Sequence, residues 1–336
     1  REVGKKLSVR TVLEGSVRKS GDRLRITVQL INVMDGYHLW SERYNRELKD
    51  IFDIQEEISL AIVDVLKVKL QEVEKEKLLK RYTDNIEAYN LYQQGYYFYN
   101  QINLNIVDKS IEYFNKAIEK DPNFAPAYAG IAGCYFSFAY FGLKRNREVK
   151  HIMKKYIQKS LEIDSNQSEA YHVLGLYTAC MELKHSEAEQ YLQRSLELNP
   201  NDSMALQNYS INRVSVRQFD FARKLAERDK LIDPLSDYIE LCTAFPDFFT
   251  TKYDRVLDKI SKYSEVKPPF LWGLWFLWRT YSIVGRKTEA VEVCKKVFSA
   301  SGANEIVQAM EKAGTDNAFQ TAASILAGIY QNHYSS

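Results

Sequence analysis

Tyr113-Phe114-Asn115-Lys116-Ala117-Ile118-Glu119-Lys120-Asp121-Pro122 is a phrase the chain writes twice more, as Tyr156-Ile157-Gln158-Lys159-Ser160-Leu161-Glu162-Ile163-Asp164-Ser165 and as Tyr191-Leu192-Gln193-Arg194-Ser195-Leu196-Glu197-Leu198-Asn199-Pro200. In each copy apolar residues return every three or four positions and a polar or proline stop follows, the pattern of a helix that buries one face and then ends. A weaker copy ends at Asp233-Pro234. The ends at Pro122, Ser165, Pro200 and Pro234 lie 43, 35 and 34 residues apart. Self-similarity at such a period marks helical hairpins stacked one on the next, because one hairpin cannot bury its apolar face alone. The helix before each phrase agrees: Tyr128, Ile131, Ala132 and Tyr135; Tyr171, Leu174, Gly175 and Thr178; Leu206, Tyr209, Ser210 and Arg213. Small residues at Gly95, Ala132, Gly175 and Ser210 let paired helices approach closely while large neighbours fill the seam. The longest spacing predicts extra residues at 138–147, where Tyr140, Phe141 and Leu143 give way to the polar Lys144-Arg145-Asn146-Arg147.

The phrase and its period resemble the tetratricopeptide repeat, clearly over residues 85–234 and in degenerate form over 235–336. Residues 235–268 read as one weak unit and 270–300 as another, with Leu277, Tyr281, Ala290, Cys294 and Val297 in register and Trp278 where a small residue is usual. Asn304 to Ser336 holds two helical patterns, including Ala322 to Tyr330. It lacks the polar terminal helix that closes such arrays, so this end is expected to be cut or otherwise covered.

Ahead of the repeats the period changes to two. Arg23 to Leu30 alternates strictly, with Leu24, Ile26, Val28 and Leu30 on one face and Arg23, Arg25, Thr27 and Gln29 on the other. A strand over about 8–18 joins it through Lys19-Ser20-Gly21-Asp22, and Met34-Asp35-Gly36 leads to a third strand around Tyr37 to Tyr44. These read as an antiparallel meander. From Ile51, the residues Ile54, Ile58, Ile62 and Val65 recur at helical spacing, with Asp50 or Asp53 placed to cap the start. Three strands and one helix make a thin core, which predicts an incomplete sheet with an edge or face needing cover.

Four blocks of this section, Leu13 to Arg18, Gly21 to Leu30, His38 to Tyr44 and Ile51 to Ile58, resemble in order and spacing the second half of a TolB-like amino-terminal domain. In that family the module sits between an output domain and helical repeats, in bacterial adenylate or guanylate cyclases, some kinases and membrane-spanning transcription activators. The resemblance implies a regulatory region. The charged opening Arg1-Glu2-Val3-Gly4-Lys5-Lys6 reads as the tail of a helix rather than a signal peptide, so the chain is expected to be a fragment.

The fold class expected is therefore mainly α: an α-solenoid of tetratricopeptide-like hairpins over residues 81–336, preceded over 1–80 by a small, truncated α/β domain with an antiparallel sheet. Composition agrees. Among 336 residues only 14 are Gly and 7 Pro, 45% are apolar and 27% charged, which excludes a disordered or collagenous chain. Forty-six basic against 44 acidic residues leave a net charge of +2, so no general pull toward nucleic acid or anionic membrane is expected. The basic group Arg18, Lys19, Arg23 and Arg25 reads as a solvated hairpin end. Pro268 to Val284, the most apolar window, is interrupted by Arg279 and too short to span a membrane. Cys134, Cys180, Cys242 and Cys294 are far apart in apolar stretches and read as small buried hydrophobes.

Nothing in the pattern points to catalysis. His38, His151, His172, His185 and His333 are scattered, with no metal motif, phosphate loop or nucleophile elbow, so no catalytic residue, metal site or cofactor is expected. A stack of hairpins instead offers a concave face lined by the first helix of each repeat. Alignment on the small position puts Tyr89, Tyr92, Tyr96 and Tyr99 there, then Phe136 and Ser137, Glu169 and His172, Met204, Gln207 and Ile211, and Trp272, Trp275 and Arg279. Aromatic anchors suit a peptide or protein segment, chiefly through Tyr92, Tyr96, Phe136 and His172. The alternative is that the tyrosine row packs on the helix after Ile51 or on the linker. The carboxylate clamp of chaperone-binding repeat proteins is absent, since Tyr92 and Tyr96 hold its usual positions. The expected role is a non-catalytic regulatory and protein-interaction region, with a homo-oligomer through the incomplete sheet as a further partner. The resemblance adds two alternatives: the regulatory part of an adenylate or guanylate cyclase, or the sensory half of a membrane-anchored transcription activator. It leaves the cytoplasmic and periplasmic faces both open.

Overall fold

Gly21, with φ of +60°, and Asp22 turn the chain between β1 (Thr11–Ser20) and β2 (Arg23–Asn32), which pair antiparallel without a bulge from Thr11 opposite Asn32 to Ser20 opposite Arg23. The left-handed conformation that glycine adopts freely is what so tight a turn requires. At the other end of β2 the Asn32 carboxamide accepts from the Met34 amide and Asp35 from the Tyr37 amide, each at 2.9 Å. Gly36, at φ +78°, completes the turn into β3 (His38–Glu47). The three strands form one sheet in the order β1-β2-β3. Both flanking strands run a few residues beyond the sequence expectation, to Ser20 and to Glu47, because the ladder continues as far as partners exist.

The chain is described here from a computed structural model, over residues 2–67, 75, 78–100, 106–140, 144–266, 270–300 and 303–334. A five-residue helix, α1 (Glu2–Lys6), precedes the sheet, and α2 (Ile51–Val65) follows it. Leu24, Ile26, Val28 and Tyr44 pack against Ile54, with Trp40, Ile51 and Ile58 at the margin, so the alternating face of β2 is covered as its pattern demands. Asp50 precedes α2 but does not cap it. Its carboxylate accepts instead from the Glu47 amide at 3.3 Å, closing a single 3-10 turn at residues 48–50.

The rest is helical: α3 (Ile86–Asn100), α4 (Val107–Lys120), α5 (Ala125–Tyr140), α6 (Asn146–Ile163), α7 (Ser168–Met181), α8 (His185–Leu198), α9 (Ser203–Ser215), α10 (Phe219–Ile232), α11 (Asp237–Phe249), α12 (Tyr253–Ile260), α13 (Leu271–Ile283), α14 (Lys287–Ala300) and α15 (Asn304–Tyr334), the last broken at Gly314 by a φ of +72°. The repeated phrase is the second helix of a hairpin. It stops where it does because Asp121 and Asp164 turn their carboxylates onto the amides of Asn123 and Asn166, at 2.9 and 3.0 Å, an alternative to the helical ladder. Three of the first helices, α3, α9 and α11, begin on side-chain caps: Asn85 accepts from Ala88, Asp202 from Ala205 and Ser236 from Ile239.

Two compact units divide the chain, residues 1–184 and 185–336. In the first, Phe114 of α4 lies between two glycines. A Cβ on Gly95 of α3 or on Gly130 of α5 would stand 2.7 Å from its ring. The small position is thus a packing requirement, and Gly130 is a second one that the repeat alignment does not single out. In the second unit Ser210 fills the same role, its hydroxyl donating to the Ala222 carbonyl at 2.8 Å. Trp278, large where a small residue is usual, is accommodated by stacking on Phe319 of α15, 6.1 Å between centroids.

The extra residues of the long repeat are not confined to the turn. Helix α5 has 16 residues and α6 has 18, against 14 each in α7 and α8, so both helices of the pair are lengthened as well. The chain does break between Tyr140 and Asn146, and residues 141–143, where Phe141 and Leu143 fall, lie outside the described residues. Cys134, Cys242 and Cys294 are buried, whereas Cys180 is exposed near the end of α7, where the last turn of the helix emerges.

Candidate partner-binding faces

In residues 1–184 the tyrosine row of α3 is divided among three neighbours. Tyr89 meets the edge of Phe52 on α2, 5.2 Å between centroids. Arg81 stands over the same Phe52 and ion-pairs with Asp53 and Glu56 at 2.7 and 2.9 Å, tying the segment ahead of α3 to α2. Tyr92 turns the other way, onto Phe114 and Phe124, and stacks on Tyr96 at 6.0 Å. Its hydroxyl donates to the Glu169 carboxylate of α7 at 3.2 Å. Burial, and then the nearby Glu169 charge, push that phenol well above its ordinary pKa. Tyr99 lies over Gly133 of α5, where a Cβ would stand 2.9 Å from its hydroxyl, and burial raises its pKa too.

All four tyrosines are half-buried. Phe136 and His172 are buried outright, at 7% and 4% exposure, Phe136 among Val149, Met153, Val173 and Leu176 and stacked on Tyr140 at 5.5 Å. Ser137 donates back to the Gly133 carbonyl at 3.1 Å. The tyrosine row therefore packs partly on the helix after Ile51, through Tyr89, and partly within the first hairpins. Exposed aromatic surface on α3 belongs instead to Tyr97, which the repeat alignment places off the concave stripe.

The second unit is different. On α13, Trp272, Trp275 and Arg279 follow at intervals of three and four and share one stripe. Trp272 is half-buried against the core of Leu274, Leu277 and Tyr263, and meets Trp275 edge-to-face at 6.3 Å. Trp275 is 37% exposed, and the exposed Arg279 guanidinium lies over its ring at 4.9 Å. Of the eleven residues expected to bind a partner, Trp275 and Arg279 alone are exposed. Gln207 is buried on α9, its amide donating to Ser203 at 2.8 Å. Met204 and Ile211 are half-buried beside it.

Three polar clusters lie outside the sequence expectation. Arg213 of α9 is buried and pairs with Glu189 of α8, with Asn212 and Gln218 around it, while the Tyr209 hydroxyl donates to the same Glu189 at 2.9 Å. Asp247 of α11 holds both Arg223 and Lys259, at 3.1 and 3.0 Å, and these cations keep its carboxyl below the usual range against the opposing cost of burial. Asp229 of α10 is fully buried, and burial lifts its carboxyl to about 6. Arg213 was visible in sequence as a cation at a seam position. The ion-pair partners of Arg213 and Asp247 come from other helices, and no local spacing announces them. Among the described residues no group of His, Cys, Asp and Glu could hold a metal ion, and no helix is long and apolar enough to cross a membrane.

These hairpins, with their internal seams of small residues, define a tetratricopeptide-like helical repeat protein carrying a three-stranded antiparallel sheet at its amino end. No protein-family model matches the chain. Over 132 residues, 39% of its length, the chain is 39% identical to a stretch making up 22% of "Putative adenylate cyclase 3" of Rhizobium meliloti (strain 1021). Over 90 residues, 26% of its length, it is 33% identical to 6% of "Superkiller protein 3" of Schizosaccharomyces pombe (strain 972 / ATCC 24843). The matches thus span less than a quarter of either relative. Among solved structures, PilW, a type IV pilus biogenesis factor, aligns with 67% of this chain and 98% of its own at 17% identity and a TM-score of 0.48. A thermophilic tetratricopeptide-repeat protein of Thermus thermophilus aligns with 59% of this chain and 98% of its own at 15% identity and a TM-score of 0.45.

Proposed function

We propose that the helical part of this chain is a non-catalytic regulatory region that binds a peptide or protein segment, and that Trp275 and Arg279 on α13, backed by Trp272, are its principal contact. The observation that carries this is the exposed Arg279 guanidinium lying over the exposed Trp275 ring. An indole offers a large rigid contact area at little entropic cost, and a guanidinium stacked on it keeps its edge donors free for a carboxylate. The partner segment suited to this stripe carries an apolar side chain beside an acidic one. In residues 1–184 the tyrosines of the expected row are already packed on neighbouring side chains and backbone, so Tyr92, Tyr96, Phe136, Glu169 and His172 act by holding the hairpins in register, and Tyr89 and Tyr99 by closing α3 onto its neighbours.

The test is to select binding peptides from a displayed random library against the whole chain and to titrate the winners against Trp275→Ala and Arg279→Ala. Loss of a buried aromatic anchor costs about 2 kcal/mol, roughly thirtyfold in affinity. Peptides without an acidic-apolar signature, or bound equally by both variants, would count against this face.

A second reading is favoured by the 39% identity to part of an adenylate cyclase: the chain regulates such an output domain in the polypeptide that contains it. Cyclic nucleotide production by the longer polypeptide then changes when the repeat region is deleted, while residues 1–336 alone produce none from ATP or GTP.

A further inference from the structure

Among the described residues strand β1 is the outer strand of the sheet and pairs with β2 alone. Ten residues long, unbulged toward β2 and without proline, it lacks three of the devices that keep an edge from pairing with another chain, and the charges it does carry, Glu14, Arg18 and Lys19, are of both signs. Its inward row is also uncovered. Leu13 and Val17 stand opposite Leu30 and Ile26 on the face that α2 packs against, yet they are 52% and 66% exposed while their partners on β2 are buried. On the outward face Arg18 stands opposite Arg25, a like-charge pair, and Glu14 stands opposite Gln29. Arg25 turns to Asn45 at 2.9 Å, and among the described residues neither Glu14 nor Arg18 has an ion-pair partner.

We infer that β1 is an assembly edge at which a second copy of this chain pairs antiparallel, strand to strand, with Ser16 facing its own copy across the two-fold axis and Glu14 of each copy opposite Arg18 of the other. A two-fold axis relating antiparallel edge strands must run normal to the sheet between them, so one residue of β1 faces its own copy across the axis and directly opposed side chains share a face. With Ser16 there, both Glu14–Arg18 pairs form, and each carboxylate enters the field of the Arg18 and Arg25 pair that repel within one copy. Moving the axis to Gly15 sets Glu14 against Ser16 and Val12 against Arg18, and moving it to Val17 sets Glu14 against Ser20, so neither register joins the charges. The Ser16 register also brings Leu13 diagonally onto Val17 of the other copy, and the two α2 helices end on the same side of a continuous six-stranded sheet. The chemistry of the partner is thus that of β1 itself. This inference does not depend on the peptide-binding reading of α13.

Sedimentation equilibrium of the whole chain across a concentration series tests it. The expected result is a reversible dimer. Glu14→Arg and Arg18→Glu each set like charges opposite one another twice, and each is expected to raise the dimer dissociation constant about tenfold or more. The double variant restores opposite charges with the ends exchanged and is expected to recover the dimer, which also shows that the single variants lost pairing rather than folding. Amide hydrogens of β1 should exchange more slowly as concentration rises. A monomer at every concentration, single reversals without effect, or a double variant that stays dissociated would overturn the inference. A monomer whose β1 amides are already protected would overturn it too, and would assign the edge to a segment of the same polypeptide.

Discussion

The Tyr92 hydroxyl, midway along α3, donates to the Glu169 carboxylate near the start of α7 at 3.2 Å, joining the first helix of one hairpin to the first helix two hairpins along. Helix α5, which packs against both, opens with Ala125, Pro126, Ala127, Ala129 and Gly130, and side chains this short let the tyrosine reach across. A hydrogen bond to a charged acceptor contributes about 1.5–3 kcal/mol. Tyr92→Phe should lower stability by that order in urea unfolding, and a double-mutant cycle with Glu169→Gln should return a coupling of about 1 kcal/mol.

Alkaline pH should act on the same residues. Tyr92 and Tyr99, raised by burial above the ordinary 10.0, stay neutral in the folded state where an unfolded phenol ionises. A folded-state pKa above the unfolded one gives a contribution that is complete below pH 10 and is lost as pH rises toward the folded value. Thermal unfolding of the wild type followed from pH 8 to 11 should fall steeply above 10, and Tyr92→Phe should flatten that fall.

Asp229 gives the same sign at lower pH. Its carboxyl, lifted from 3.8 to about 6 by burial, with Asp233 and Asp202 adding to the rise and Ser203 and Gln207 of α9 opposing it, keeps its proton in the fold up to about pH 6. Its contribution is complete below 3.8 and is lost as pH passes 6. Asp229→Asn keeps the shape and removes the ionisation, so at pH 8 it should be more stable than the wild type by about 1 kcal/mol or more, and at pH 4 nearly equal. Calorimetry at the two pH values separates these outcomes.

Phe114 between Gly95 and Gly130 sets a steric limit. A methyl group at either glycine would enter a buried aromatic ring at 2.7 Å, and overpacking of this kind costs about 1–3 kcal/mol. Gly130→Ala should destabilise accordingly, and Phe114→Leu in the same chain should recover part of the loss, making the pair less than additive in urea unfolding.

The contrast between Gly95 and Phe136 shows how far the sequence could be read. A small residue recurring at one position of each repeat announces where helices approach, because that constraint is local to the hairpin and repeats with it. The alternation of Leu24 to Leu30 and the Gly21-Asp22 turn are legible for the same reason. Whether an aromatic on the concave stripe is open depends on its neighbours' bulk. Phe136 is covered by side chains from α6 and α7, His172 is buried on α7 itself, and Trp275 stays exposed, although alignment places all three on equivalent stripes. The buried pairing of Arg213 with Glu189 and the clasp of Asp247 on Arg223 and Lys259 likewise join residues from separate helices, which no periodicity encodes.

The binding face on α13 is tested most directly by site-specific photo-crosslinking to a selected peptide. A photoreactive phenylalanine analogue, whose aromatic rings keep an apolar contact face where the indole stands, would be placed in turn at Trp275, Lys116 and Lys159, the last two being cations on second helices. The peptide should crosslink from the Trp275 position and from neither lysine position, and unlabelled peptide should suppress the product at concentrations near its dissociation constant. Crosslinking from Lys116 or Lys159 with none from the Trp275 position would contradict the assignment of the Trp275 and Arg279 stripe as the partner-binding face.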